Sequence, residues 1–103
     1  MTQIQLCQAD EITEGEPFQA IIPGHPPFAV FKVEEQVYVV QDECTHATAS
    51  LSLEGTQEGF HVVCSWHEAI FDIRDGKGVS GPCEKPLRAF PAHVADGVVV
   101  IEV

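Results

Sequence analysis

Phe28-Ala29-Val30-Phe31-Lys32-Val33-Glu34-Glu35-Gln36-Val37-Tyr38-Val39-Val40-Gln41 reads as two short strands joined by a tight connection. Phe28–Val33 and Val37–Gln41 are crowded with β-branched and aromatic side chains, which pack well on a pleated surface. Glu34-Glu35-Gln36 between them is short enough for a hairpin loop. Upstream, Phe18–Ile22 and Ile4–Cys7 have the same character, and Ala9-Asp10-Glu11-Ile12 is long enough for one helical turn. Pro17, Pro23, Gly24, Pro26 and Pro27 break any longer helix there. Downstream, His61–Cys64 and Ile70–Ile73 are further strands, with turn residues at Asp75-Gly76 and Lys77-Gly78. Leu87–Val94 and Val98–Val103 flank Asp96-Gly97, a strong hairpin signal. Pro91 interrupts the first of these and demotes part of it to an edge or a bulge. Strands recurring roughly every eight to twelve residues predict an all-β domain, a small sandwich or barrel. Asp42–Phe60 is the exception: it has no clear strand, and so long a structureless stretch in a small domain is usually functional.

The chain has 103 residues, 45% of them apolar and 20% charged, the composition of one globular domain spanning residues 1–103. Sixteen acids against five bases leave a net charge of −11. A nucleic-acid binder must neutralise phosphates, so that class is excluded, and an anionic membrane surface repels the chain equally. The acids are concentrated early: residues 1–43 hold eight acids and one base. No apolar run approaches the length of a membrane span, and the first residues lack the basic and apolar stretches of a secretory signal, which predicts a cytoplasmic protein.

Four cysteines stand at 7, 44, 64 and 83. In a cytoplasmic protein they point to metal binding or buried thiols rather than disulfides. Cys44-Thr45-His46 and Cys64-Ser65-Trp66-His67 form two Cys–His pairs that bracket the irregular stretch. Two thiolates and two imidazoles in two loops suit a soft or borderline metal. Each loop supplies one of each, unlike a zinc finger that pairs Cys with Cys and His with His. If both cysteines bind one iron and both histidines another, a two-iron cluster bridges the loops. Zinc fits the spacing as well.

With Phe71 following the second pair, these loops resemble the cluster loops of Rieske [2Fe–2S] proteins. Ser80-Gly81-Pro82-Cys83 and Pro86-Leu87 are similar to the proline-containing loop that covers the cluster. Leu6-Cys7…Asp10-Glu11-Ile12-Thr13-Glu14-Gly15 continues the likeness, which is strongest toward the ferredoxins of bacterial aromatic-ring dioxygenases. The resemblance implies three antiparallel sheets, with a cluster-binding subdomain over residues 43–85 inserted in a β base. It implies that Cys44 and Cys64 hold the buried iron of one [2Fe–2S] cluster, and His46 and His67 the outer one. The family usually has glycine where this chain has Ala47 and at the Glu68-Ala69 step. If those backbones need a positive φ, the strain is ~1 kcal/mol. Ser65 replaces a common proline.

The other candidates read more plainly. Cys83 is taken as a buried thiol and Cys7 as a small core residue. His25, His61 and His93 have no cysteine at ligand spacing and are read as surface or strand histidines. Trp66, between two ligands, serves the core or an apolar docking collar.

The chain carries no dinucleotide or P-loop signature, no Ser/His/Asp or paired-carboxylate set, and no sign of a substrate-sized pocket. It is therefore read as an electron carrier and not an enzyme. By resemblance it takes electrons from a flavin-containing NAD(P)H reductase and gives them to a terminal oxygenase. A small Rieske-like subunit of a nitrite reductase and a zinc-stabilised interaction module are the alternatives. Respiratory Rieske proteins link their loops by a disulfide at the places that here hold Ala49 and Trp66. They also place serine and tyrosine hydroxyls, donors to cluster sulfur, where this chain has Ala69 and Phe71. Fewer donors to sulfur stabilise the reduced state less, so a low potential is expected.

Overall fold

The computed structural model describes residues 2–44, 49–64, 69–80 and 85–103. In chain order its strands are β1 (Gln3–Gln8), β2 (Phe18–Ala20), β3 (Phe28–Val33), β4 (Gln36–Gln41), β5 (Thr56–Glu58), β6 (His61–Val63), β7 (Ile70–Asp72), β8 (Gly78–Ser80), β9 (Ala89–Phe90), β10 (Ala92–Ala95) and β11 (Val98–Glu102). A 3-10 turn, Ala9–Glu11, follows β1, and one short helix, α1 (Leu51–Glu54), precedes β5. The strands form three antiparallel sheets, ordered β1-β11-β10, β2-β3-β4-β9 and β5-β6-β7-β8. The all-β expectation holds, and the three-sheet arrangement is the one the resemblance implied. Among the described residues no helix is long and apolar enough to cross a membrane.

The hairpin Phe28–Gln41 makes the centre of the middle sheet. Its strands alternate, but neither face is polar. Phe28, Val30, Val37 and Val39 pack into the core shared with β1 and β11, alongside Leu6, Ile12, Val99 and Ile101. Ala29, Phe31, Val33, Tyr38 and Val40 belong to a second core with Leu51, Val62, Phe71, Ile73 and Leu87. A strand buried on both sides must be apolar at successive positions, which accounts for the near-continuous run in β3. The connection is tighter than the three-residue reading. Glu34 and Glu35 have φ of +49° and +69°, a two-residue turn that leaves Gln36 to open β4. Asp96-Gly97, with φ of +51° and +75°, closes the β10–β11 hairpin in the same way.

Pro91 does more than mark an edge. It divides the run into β9, which pairs with β4, and β10, which pairs with β11, so the chain changes sheets there. Its carbonyl still accepts from the Glu102 N–H at 3.1 Å.

Asp42–Phe60 is not structureless, which corrects the sequence reading: it contains α1 and β5. Thr56-Gln57-Glu58 escaped notice because β5 buries only Gln57, a polar side chain, and so carries no apolar alternation. β8 has no strand reading in the sequence, where Lys77-Gly78 marks a turn and Ser80 opens the proline-containing loop, because all three of its residues are exposed and carry no apolar alternation.

The chain leaves the middle sheet after β4 and returns beside it in β9, where the Gln41 N–H donates to the Arg88 carbonyl at 2.9 Å. The β5–β8 sheet lies wholly within that excursion. A fork from Arg74 to Asp72, at 3.0 and 2.7 Å, braces its β7 end and holds the Asp72 carboxyl below the usual carboxylate range. The same guanidinium lies over Phe60 at 4.3 Å, and Phe60 meets Tyr38 of β4 edge-on. Gly76 ties the return: its carbonyl accepts from the Leu87 N–H at 2.7 Å.

A Cβ on Gly76 would lie 2.0 Å from the Leu87 carbonyl oxygen, at a φ of +80°, whereas one on Gly59, at φ +61°, meets nothing within 4 Å. Gly59→Ala is expected to cost about 1 kcal/mol for the positive φ alone. Gly76→Ala is expected to cost at least about twice that, because the Leu87 rung must open as well. Urea unfolding of both variants at equal iron content checks this. Equal losses would show that the 76–87 closure is dispensable.

Candidate metal centre

The two cysteine–histidine stretches begin at matched places. After β4 the chain reaches Cys44 and returns at Ala49, and the Cys44 N–H donates to the Ala49 carbonyl at 3.0 Å. Outside that rung Glu43 bridges Ser50, and the Leu51 N–H donates to the Asp42 carbonyl at 2.7 Å. After β6 the chain reaches Cys64 and returns at Ala69, with the Cys64 N–H donating to the Ala69 carbonyl at 2.7 Å. Outside that rung Val63 pairs with Ile70 and Val62 with Phe71. The two ladders share one register: Asp42, Cys44, Ala49 and Leu51 stand where Val62, Cys64, Ala69 and Phe71 stand in the other.

Cys44 and Cys64 are 3% and 1% exposed, and both belong to the core that includes Ala49, Ala69, Leu51, Phe71 and Phe31. Neither is in a disulfide. Two thiols from different segments thus enter one dry, apolar cluster. A thiolate there needs a compensating positive charge, and a thiolate-binding metal supplies it. The donor chemistry of this half of the site fits an iron–sulfur group.

Residues 45–48, 65–68 and 81–84 lie outside the described residues. With them go the other two proposed ligands, His46 and His67, and also Ala47, Ser65, Trp66, Glu68 and Cys83. Among the described residues no three His, Cys, Asp or Glu side chains gather in a metal-binding group. At Ala69 the anticipated strain does not arise. Among the described residues only Glu34, Glu35 and Asp96 are non-glycine residues with positive φ.

Cys7 lies in β1 at the margin of the other core rather than deep within it. Burial, with Glu11 nearby, pushes its thiol up to about 11, so it stays protonated and unreactive. His25 and His93 are exposed and His61 half-buried, in keeping with surface and strand histidines. The structure adds two features that were not legible beforehand. One is a cavity of about 410 Å³ lined by His25, Pro27, Phe28, Glu43, Arg88 and Phe90, among others. Its size corrects the expectation of no such pocket; among its described lining residues none is a serine, threonine or cysteine. The other is Asp42, 3% exposed, which accepts from Ser52 N–H, Ser50 Oγ and Gln19 Nε2.

The comparisons with known proteins agree with this geometry. A family model described as the Rieske [2Fe-2S] domain matches residues 2–91. The ferredoxin component of the p-cumate 2,3-dioxygenase system of Pseudomonas putida is 38% identical over 100 residues, covering 97% of this chain and 85% of that one. The fold is similar to that of the Sphingomonas yanoikuyae B1 ferredoxin, with a TM-score of 0.93, 33% identity and 99% of both chains covered. A chain in the complex of reduced oxygenase and oxidized ferredoxin in carbazole 1,9a-dioxygenase matches with a TM-score of 0.88 and 35% identity, over 96% of this chain and 91% of that one. Two buried cysteines at matched ladder ends, three antiparallel sheets and a family match over most of its length place this chain in the Rieske [2Fe–2S] domain family.

Proposed function

We propose that this protein is the one-electron carrier of an aromatic-ring dioxygenase system, taking electrons from a flavin-containing NAD(P)H reductase and delivering them to a terminal oxygenase. The observation that carries the reading is the likeness, over 97% of the chain, to a ferredoxin component of such a system, joined to the pair of buried cysteines. Cys44 and Cys64 would supply two thiolates to a [2Fe–2S] group, and His46 and His67 two imidazoles. That group, when bound, stores and releases a single electron. The chain's own part is to hold the sulfurs still and dry. Each cysteine has its N–H committed to an alanine carbonyl, and each side chain is shielded from water and oxidants by the Leu51, Phe31 and Phe71 side of the core. Fixed ligands and excluded water limit the rearrangement that accompanies a change of charge. Relatives are named as the ferredoxin component or ferredoxin subunit of dioxygenases, which supports the carrier's role.

Residues 43–85 are the cluster-binding part of the single domain 1–103. The β5–β8 sheet falls within that span, and β4 and β9 pair on either side of it. The cytoplasm is its compartment, where NAD(P)H is at hand and thiols such as Cys7, Cys44 and Cys64 stay reduced.

Protein made with ample iron and sulfide is expected to be red-brown and to hold two irons and two acid-labile sulfides per chain. His46→Ala and His67→Ala should each abolish the Rieske-type spectrum of the reduced protein. Colourless protein with stoichiometric zinc would overturn the reading.

Ala69 and Phe71, both fully buried beside Cys64, offer no side-chain donor, so the potential is expected in the lower half of the Rieske range of about −150 to +300 mV. Phe71→Tyr should raise it by roughly tens of millivolts, as voltammetry would show. An unchanged potential with a lower unfolding midpoint would mean that the hydroxyl is buried without a partner and that other groups set the potential.

The charge of −11 should steer encounter with a basic reductase face. Electron transfer from the reductase is then expected to slow as ionic strength rises through ~0.15 M, where the Debye length is about 8 Å. A rate flat in salt would indicate apolar docking instead, for which Leu53 and Val79, 70% and 50% exposed, are available.

A further inference from the structure

We propose that Asp42 is a positioning residue of the cluster site: its buried carboxylate clamps both arms of the first ligand loop, and its negative charge lowers the reduction potential. The inference rests on the cluster reading above and deepens it.

Asp42 is 3% exposed and joined to its surroundings at every polar atom. Oδ1 accepts from the Ser52 N–H at 2.8 Å, and Oδ2 from Ser50 Oγ at 2.6 Å and Gln19 Nε2 at 2.9 Å. Its own N–H donates to the Pro27 carbonyl, and its carbonyl accepts from the Leu51 N–H. One side chain therefore connects β2, the outgoing arm of the loop and the first turn of α1. The clamp lies just outside the Cys44–Ala49 rung.

The site is built for an anion. The Leu53 N–H donates to Ser50 Oγ at 3.2 Å, which leaves the Ser50 hydroxyl hydrogen for Asp42. Every side-chain partner is then a donor to the carboxylate. None of them is a cation: the described ion pairs are Lys32 with Glu35 and Arg74 with Asp72. A buried negative charge answered only by dipoles is screened far less than a surface one.

The second loop provides the comparison. In the shared register Val62 occupies the place of Asp42, fully buried and apolar, and that ladder closes on the same kind of rung. A clamp at this position can therefore be apolar. What the carboxylate adds at Asp42 is charge, two residues from a proposed thiolate ligand. A fixed negative charge beside the site opposes the arrival of an electron.

The test compares wild type with Asp42→Asn, Asp42→Val and Ser50→Ala. Iron and sulfide content, the spectrum of the reduced protein, the midpoint potential and the rate of iron loss to a chelator are measured for each. Asn keeps the volume and an acceptor for the Ser52 N–H, and the Gln19 amide and Ser50 hydroxyl can reorient toward its amide. Asp42→Asn should load fully with an unaltered spectrum. Its reduction equilibrium should shift on the order of tenfold toward the reduced form, about 59 mV for one electron. Asp42→Val should lose iron to the chelator several-fold faster than Asp42→Asn. An Asp42→Asn protein that loads fully at the wild-type potential overturns the proposal, as does an Asp42→Val protein that holds iron as well as Asp42→Asn. If Asp42→Asn fails to load, Ser50→Ala decides. It leaves the charge but withdraws its shortest hydrogen bond, so a potential below wild type supports the proposal and an unchanged one overturns it. Wild-type protein without a Rieske spectrum would overturn the underlying reading instead.

Discussion

Two backbone hydrogen bonds, from Cys44 N–H to the Ala49 carbonyl and from Cys64 N–H to the Ala69 carbonyl, govern what this chain can do. Each closes a ladder at the residue that carries a sulfur. A cysteine so placed has its main chain fixed by sheet pairing on one side and stands at the start of a proposed ligand stretch on the other. Because both ladders keep the same register, both thiols turn into one core instead of two. The alanines across the rungs are themselves fully or nearly buried, which keeps the neighbourhood of the sulfurs dry.

That arrangement depends in turn on the middle sheet. β3 and β4 bury both faces, one against the β1 and β11 strands and the other against the core that holds the cysteines. The sheet is thus a shared wall. It lets a chain of 103 residues keep a stable base while a second core surrounds the two cysteines proposed as ligands. A small domain with a modest core gains from such sharing, since each central strand contributes apolar area twice. The excursion between β4 and β9 leaves and re-enters beside the same strand, so the inserted part is tied to the wall at both ends.

The distribution of charge follows the same division. The surface is acidic, and the early residues hold half of the acids, whereas the core around the cysteines is apolar. Within the wall of the site, one carboxylate, Asp42, is retained and satisfied by three donors. A carrier needs few groups beyond these: ligands held still, water kept out, and a local field that sets the potential.

The sequence by itself determined the all-β class, the two Cys–His pairs and the family, because each rests on local pattern: β-branched runs, turn dipeptides and ligand spacing. It placed Phe28–Val33 without error, since a strand buried on both faces is apolar throughout. It missed β5 and β8, where one polar side chain or none is buried and no periodicity exists to read. It marked Pro91 as an interruption but not as the point where the chain passes from one sheet to another. Asp42 went unremarked as well, for its three side-chain partners lie up to 23 residues away and an isolated aspartate before a cysteine carries no signal. Only the tertiary structure decided these, because sheet partners and buried hydrogen bonds join residues distant in the chain, and their identity is set by which faces meet.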